Sequence, residues 1–157
     1  MEKSGAATIV DTLGLKPHPE GGFFSETYRH DRKIADRALC TAIYYLITAE
    51  SPSRMHRVAS DEIWHFYRGD ALEMLQLGKR ETRVIDIGAD VEAGERPQVF
   101  VPAGVWQGAR VKPGGNYALV GATVSPGFDY DDFELGRRDE LVAGYPERAA
   151  LIEALTL

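Results

Sequence analysis

Residues 54–69, RMHRVASDEIWHFYRG, carry an imidazole at His56 and a carboxylate at Glu62, with Val58 between them. Those two side chains ligate Zn, Mn or Fe, and they also exchange protons near neutral pH. A catalytic metal ordinarily takes three good protein ligands, and Val58 supplies none. Read with a strand's period of two, DEIWHFY sets Glu62, Trp64 and Phe66 on one face and Ile63, His65 and Tyr67 on the other. If the first face met water, two large rings would be exposed. If it points inward, Glu62 is buried and needs a partner, because an unpaired buried carboxylate is costly. A turn at Ala59-Ser60 would bring His56, on the preceding strand, opposite Glu62, which makes His56 the partner expected. A metal centre, a metal-free ligand pocket and a polar cluster within a barrel core are all open on these residues alone.

The elements that must position them are mostly strands. FFSETYR, LCTAIYYLIT, DEIWHFYRG, ALEMLQLG, TRVIDIG, PQVFVPAG, WQGARV and NYALVGATV are short runs of β-branched and aromatic residues separated by turn residues. Roughly eight strands spaced by about ten residues predict an all-β sandwich or barrel. Gly69-Asp70, Gly78-Lys79 and residues 112–116 (KPGGN) are turn sequences, from which antiparallel pairing of consecutive strands is expected. A short N-terminal helix is predicted from Ile9, Val10 and Leu13, with Ser4 as N-cap and Gly14 at its end. A last helix opens at Pro146, with Leu151, Ile152 and Leu155 on one face.

The chain of 157 residues is the size of one domain, and a single domain over 1–157 is expected. A net charge of -6 and a pI near 5.2 argue against nucleic acid or an anionic membrane as partner, since both need a concentrated basic surface. Cys40, the sole cysteine, excludes an intrachain disulfide and a Cys-rich metal site, and it reads as a small buried hydrophobe. No window approaches the apolar length of a membrane span, and the N-terminus lacks a basic-then-apolar leader; a cytoplasmic location is expected. Phosphate-loop, dinucleotide and nucleophile-elbow signatures are absent. His18 and His30 are assigned to the surface, and Asp129, Asp131 and Asp132 to an acidic turn that could also cap the barrel mouth.

The motifs resemble those of the cupin superfamily. Its first motif, His-x-His, three or four residues, Glu, six residues, Gly, is matched at His56, Glu62 and Gly69 but not at Val58. Its second, Pro-x-Gly-x-x-His, is matched at Pro102 and Gly104, with Gln107 in place of histidine. PHPEGGFFSETYRH, TAIYYL, DEIWHFYRGD, GERPQVFVPAGVWQGAR and GATVSPGFDYDDFELG are similar to the signature segments of a cupin-5-like subfamily. The resemblance implies a cupin double-stranded β-helix (jelly roll) with short N- and C-terminal helices, commonly a homodimer. Of the usual metal ligands two are replaced, so no cofactor is expected; His56, Glu62 and Gln107 are weak metal candidates.

A second resemblance joins EGGFFSETYRH to the DxRGxFxExY segment of nucleotide-sugar 3,5-epimerases, which are metal-free cupins. It implies His56 as general base, with Glu26 and Tyr28 on one strand face lining the pocket. The epimerases' Arg-Gly pair is Gly21-Gly22 here, and no aspartate partner for His56 is evident from sequence. Arg29, Arg54 and Arg57 are candidate cations or plain surface residues. The leading expectation is a pocket for a small sugar, nucleotide or similar metabolite, lined by Glu26, Tyr28, His56, Glu62, Trp64, Phe66 and Gln107. A metal-free epimerase or isomerase and a degenerate metal-dependent cupin enzyme are the alternatives.

Overall fold

The computed structural model describes residues 5–157, so the expected N-cap Ser4 lies outside the described residues. In chain order the strands are β1 (Lys16–Pro17), β2 (Phe23–Arg29), β3 (Lys33–Ile34), β4 (Arg37–Ala38), β5 (Thr41–Thr48), β6 (Ser53–Arg57), β7 (Asp61–Gly69), β8 (Leu72–Leu77), β9 (Thr82–Ile87), β10 (Gln98–Val101), β11 (Trp106–Val111), β12 (Tyr117–Ser125) and β13 (Glu134–Leu135). Helices α1 (Gly5–Leu13), α2 (Arg138–Gly144) and α3 (Ala149–Ala154) stand at the two ends of the chain. Three strands coincide with the expected segments FFSETYR, DEIWHFYRG and WQGARV, and the first half of DEIWHFYRG alternates between exposed and buried residues.

Two sheets make the jelly roll expected from the sequence. One has the order β1-β2-β5-β12-β7-β10 and the other β13-β6-β11-β8-β9. The expectation that consecutive strands pair is corrected here. Only the Gly78-Lys79 turn, of the three named, joins paired strands, β8 and β9. Gly69-Asp70 and residues 112–116 carry the chain from one sheet to the other. The two crossovers are tied together by Asp70, whose Oδ2 accepts from the backbone N–H groups of Asn116 (2.7 Å) and Tyr117 (3.2 Å). A turn motif specifies that the chain reverses; which sheet receives it is set by which face must be buried.

The principal core lies between the sheets, where Tyr45, Ile47, Trp64 and Val120 meet Leu72, Met74 and Ile87. Each such side chain, taken from water, contributes about 1.5–3 kcal/mol. Two further layers explain why β5 reads as a nearly continuous apolar run and why β8 is buried along almost its whole length. Helix α1 covers the outer face of the first sheet at Leu46 and Leu119. Leu141 of α2, Ile152 of α3 and Leu155 just beyond it cover Met55, Leu75 and Leu77 on the second sheet. A strand covered on both faces has no side that must be polar. The predicted terminal helices are present, the last entered through a 3₁₀ turn at Pro146–Arg148, whereas α2 was not expected.

Candidate functional site

The inner faces of the sheets diverge at one end to enclose a cavity of about 430 Å³. Its aliphatic wall is Ile43, Val58, Ala122 and Val124, and its aromatic end is His18, Phe24, Phe128 and Tyr130. Glu20, His56 and Glu62 supply the ionisable floor, and Glu26, Arg29 and Asp129 also face the space. His56 and Glu62 reach it from opposite sheets, because the chain crosses between β6 and β7.

The partner of His56 is Glu20, not Glu62 as expected. His56 Nε2 lies 3.0 Å from Glu20 Oε2, and Nδ1 lies 2.7 Å from the Arg54 carbonyl oxygen. Both neighbours are acceptors, so both ring nitrogens donate and the ring is an imidazolium. Burial pulls its pKa down, but the Glu20 carboxylate, by charge and hydrogen bond, prevails and raises it to about 9. Burial acts on Glu20 in the opposite sense, and His56 overcomes it, holding the carboxyl below its ordinary range. Phe133 stacks on the imidazolium at a centroid distance of 5.5 Å.

Local sequence explains how Glu20 gets there. Gly21 and Gly22 have φ of 106° and 73°, a backbone region that glycine enters without strain. With them the chain turns back on itself through His18 N–H to the Gly22 carbonyl (2.9 Å) and Gly21 N–H to the His18 carbonyl (3.0 Å). The carboxylate is thereby swung under the barrel, where Ser53 Oγ also donates to it at 3.2 Å. Any side chain at Gly21 would strike the Pro52 carbonyl, which gives the Gly-Gly pair a steric reason for being there. His18, assigned to the surface from sequence, is buried beside Glu20 with only 6% of its side chain exposed. Burial lowers its pKa despite Glu20, leaving a neutral ring. The signal that could have found both residues is the His-x-Glu spacing between Pro17 and the paired glycines.

Glu62 is held from behind. Trp64 Nε1 donates to Gln107 Oε1 at 2.9 Å, which orients the amide so that Gln107 Nε2 donates to Glu62 Oε1 at 2.6 Å. Oε2 receives no hydrogen bond of this kind. Among the described residues no fully buried side-chain oxygen is left without a partner, so Oε2 opens on the cavity. Burial raises the Glu62 pKa; His56 opposes it, Glu20 adds to it, and the Gln107 and Trp64 donors lower it, with burial prevailing.

Residues 7–136 match the Cupin_5 family, described as Cupin superfamily (DUF985). The chain belongs to this family. A Saccharomyces cerevisiae protein described as uncharacterized is 30% identical over 169 residues, covering 94% of this cupin and 84% of that protein. The structure of a hypothetical protein from Leishmania major is 38% identical with a TM-score of 0.91, covering 96% of this chain and 98% of that one. A Shewanella oneidensis protein structure is 35% identical, also at 0.91, covering 100% and 99%.

In this cupin the four motif positions are His56, Val58, Glu62 and Gln107, and they do not fit a metal ion. Both nitrogens of His56 are engaged, Val58 is hydrocarbon, and the oxygen of Gln107 is taken by Trp64. Among the described residues no group of three or more His, Cys, Asp and Glu is arranged to hold one.

Of the residues expected to line the pocket, Glu26, His56 and Glu62 do. Tyr28 does not: the β2–β5 register slips between Glu26 and Tyr28, and this bulge turns Tyr28 to the outer face, where it is 50% exposed. Trp64 and Gln107 form the buried layer behind Glu62, and Phe66 packs against the main core. His56 was expected as a free base; its ring nitrogens are instead engaged by Glu20 and the Arg54 carbonyl oxygen. His65 is on the outer face, bonded to Thr123 Oγ1 at 3.0 Å. Arg29 is clamped to Glu26 at 2.7 and 2.9 Å, while Arg57 lies over the Trp106 ring and pairs with Glu134 at the surface. The acidic segment is more than a solvated turn: Asp129 lines the cavity and Asp132 is bound by Arg37 at 2.8 and 2.9 Å.

Proposed function

We propose that this cupin is a small-molecule-binding protein whose ligand occupies the cavity between the sheets. The observation that carries the reading is Glu62: a buried carboxyl, held rigidly by Gln107 and Trp64, that turns an unused oxygen toward an otherwise largely apolar space. A volume of about 430 Å³ lies in the range of small-ligand sites, and few convergent polar groups in an apolar wall are their usual lining. The test is a fragment screen read by melting temperature, repeated on Val58→Phe, which fills the cavity from its aliphatic wall. Ligands that stabilise the unaltered protein in proportion to the logarithm of their concentration, and lose the effect in Val58→Phe, support the reading. Absence of any such ligand, or equal stabilisation of the filled variant, refutes it.

The same carboxyl favours a second reading, metal-free proton transfer at a carbon next to a carbonyl. Burial moves the Glu62 pKa toward neutrality, as acid–base catalysis requires, so Glu62 rather than His56 is the acid–base group. Deuterium wash-in from solvent into a carbonyl compound, lost in Glu62→Gln, tests it; no exchange across a panel of such compounds removes it.

A further inference from the structure

Charges around the cavity are paired with one exception. Glu20 is matched by His56 at 3.0 Å, and Glu26 by Arg29 at 2.7 Å. Asp129 has Arg37 at 3.9 Å. The guanidinium of Arg29 is further committed to the Phe128 carbonyl at 3.1 Å. Glu62, 9% exposed, has neutral donors, the amide of Gln107 and the indole of Trp64, and among the described residues no cation in contact. Of the two charges facing it, the His56 imidazolium acts on it more strongly than Glu20 does, but that imidazolium is in contact with Glu20 and not with Glu62, and Gln107 and Trp64 behind it are neutral. A buried carboxylate without a counter-ion is the arrangement that proteins avoid unless something else provides the charge.

The cavity that this oxygen opens on suits an ammonium compound with an apolar body. Phe24, Phe128 and Tyr130 line the space, with Phe128 and Tyr130 edge to face at 5.0 Å, and the faces of such rings attract ammonium groups. Among the described residues no cation of the lining is left uncommitted for an anion. A phosphate or carboxylate would meet Glu62, Glu26 and Asp129 without a free N–H of a charged group to receive it. From this juxtaposition we propose that the ligand of the cavity is a small organic ammonium compound with an apolar or aromatic body, its N–H groups donating to Glu62 Oε2 and its body packed against Phe24, Phe128 and Tyr130. The proposal rests on the cavity being a ligand site and adds the ligand's charge class. Burial's upward pull on the Glu62 pKa agrees with it, since a bound cation would reverse that pull.

Three probes share one skeleton and differ in charge: 2-phenylethylamine, 2-phenylethanol and phenylacetate. Binding is measured by calorimetry at pH 7.5, on the whole chain. The amine is expected to bind at least about tenfold tighter than the alcohol, a difference of about 1.4 kcal/mol, and phenylacetate is expected to bind weakest. Glu62→Gln, nearly isosteric, is expected to bring the amine and alcohol within about threefold of each other. If that variant does not fold, lowering the pH on the unaltered protein serves instead: as Glu62 takes up a proton the preference for the amine shrinks. In that same range amine binding releases protons, seen as a dependence of heat on buffer ionisation. Phenylacetate or the alcohol binding as tightly as the amine overturns the proposal. So does a preference that survives in Glu62→Gln and at low pH, or failure of all three probes. Neutral or anionic fragments that bind in the screen and are lost in Val58→Phe would then leave the cavity reading standing while the charge class falls.

Discussion

Replacing Glu20 by glutamine keeps the shape of the His56 partner and removes its charge. In the folded chain the His56 pKa stands at about 9 against an ordinary 6.5. Each tenfold change in proton affinity is worth about 1.4 kcal/mol, so the imidazolium–carboxylate pair stabilises the fold by about 3 kcal/mol. The sign follows from a pKa raised on folding. The contribution is complete below pH 6.5, declines as pH rises, and is lost once pH passes about 9. Glu20→Gln should therefore be less stable than the unaltered protein by about 3 kcal/mol at pH 6, or roughly 6–12 °C in melting temperature for a chain of this size. The gap should close toward pH 9 to 10. Urea unfolding at a series of pH values measures the gap, and the NMR titration of the His56 ring proton measures the pKa directly. Parallel stability profiles from pH 6 to 10, or a His56 titration below 7 in the unaltered protein, would refute the assignment of an imidazolium.

Gln107→Leu strands the Trp64 indole N–H and removes the donor to Glu62. Two buried groups left without partners cost about 2 to 4 kcal/mol together, and a loss of less than about 0.5 kcal/mol in urea unfolding would show that the layer behind Glu62 is not a structural support. Val58→His restores the residue type that the metal-binding motif asks for, yet it should create no Zn²⁺ site, because His56 spends both nitrogens on Glu20 and the Arg54 carbonyl. Competition against a chromophoric chelator decides this; stoichiometric Zn²⁺ uptake would mean that His56 turns freely toward the cavity.

What was legible in the sequence follows from local rules. Short runs of β-branched and aromatic residues between turn residues mark β2 and β11, alternation with period two marks β7, and the segments WHFYRG, PAG and PHPEGG carry enough of a family's pattern to imply the jelly roll. The same alternation put Glu62 on an inward face, and the motif spacing drew His56 into the same cavity. What alternation cannot supply is a partner. It says which way a side chain points and nothing about what stands opposite, so the carboxylate it assigns to His56 is Glu62, across the next turn. Its actual partner, Glu20, lies 36 residues away in a loop shaped by Gly21 and Gly22. One bulge between Glu26 and Tyr28 reversed the face of the residues beyond it, a slip invisible to a period-two reading.

Sequence by itself determined the architecture and three polar positions facing the cavity, Glu26, His56 and Glu62, because these depend on patterns within a few residues. Tertiary structure alone decided the charge states and the division between wall and support. Those depend on burial and on contacts between distant segments: His18 neutral, His56 doubly protonated against Glu20, Trp64 and Gln107 behind Glu62, and Phe128 and Tyr130 brought over the opening by a loop anchored through Arg37 and Asp132. A protonation state is a property of a residue's surroundings, and the surroundings of these residues exist only once the two sheets have closed on each other.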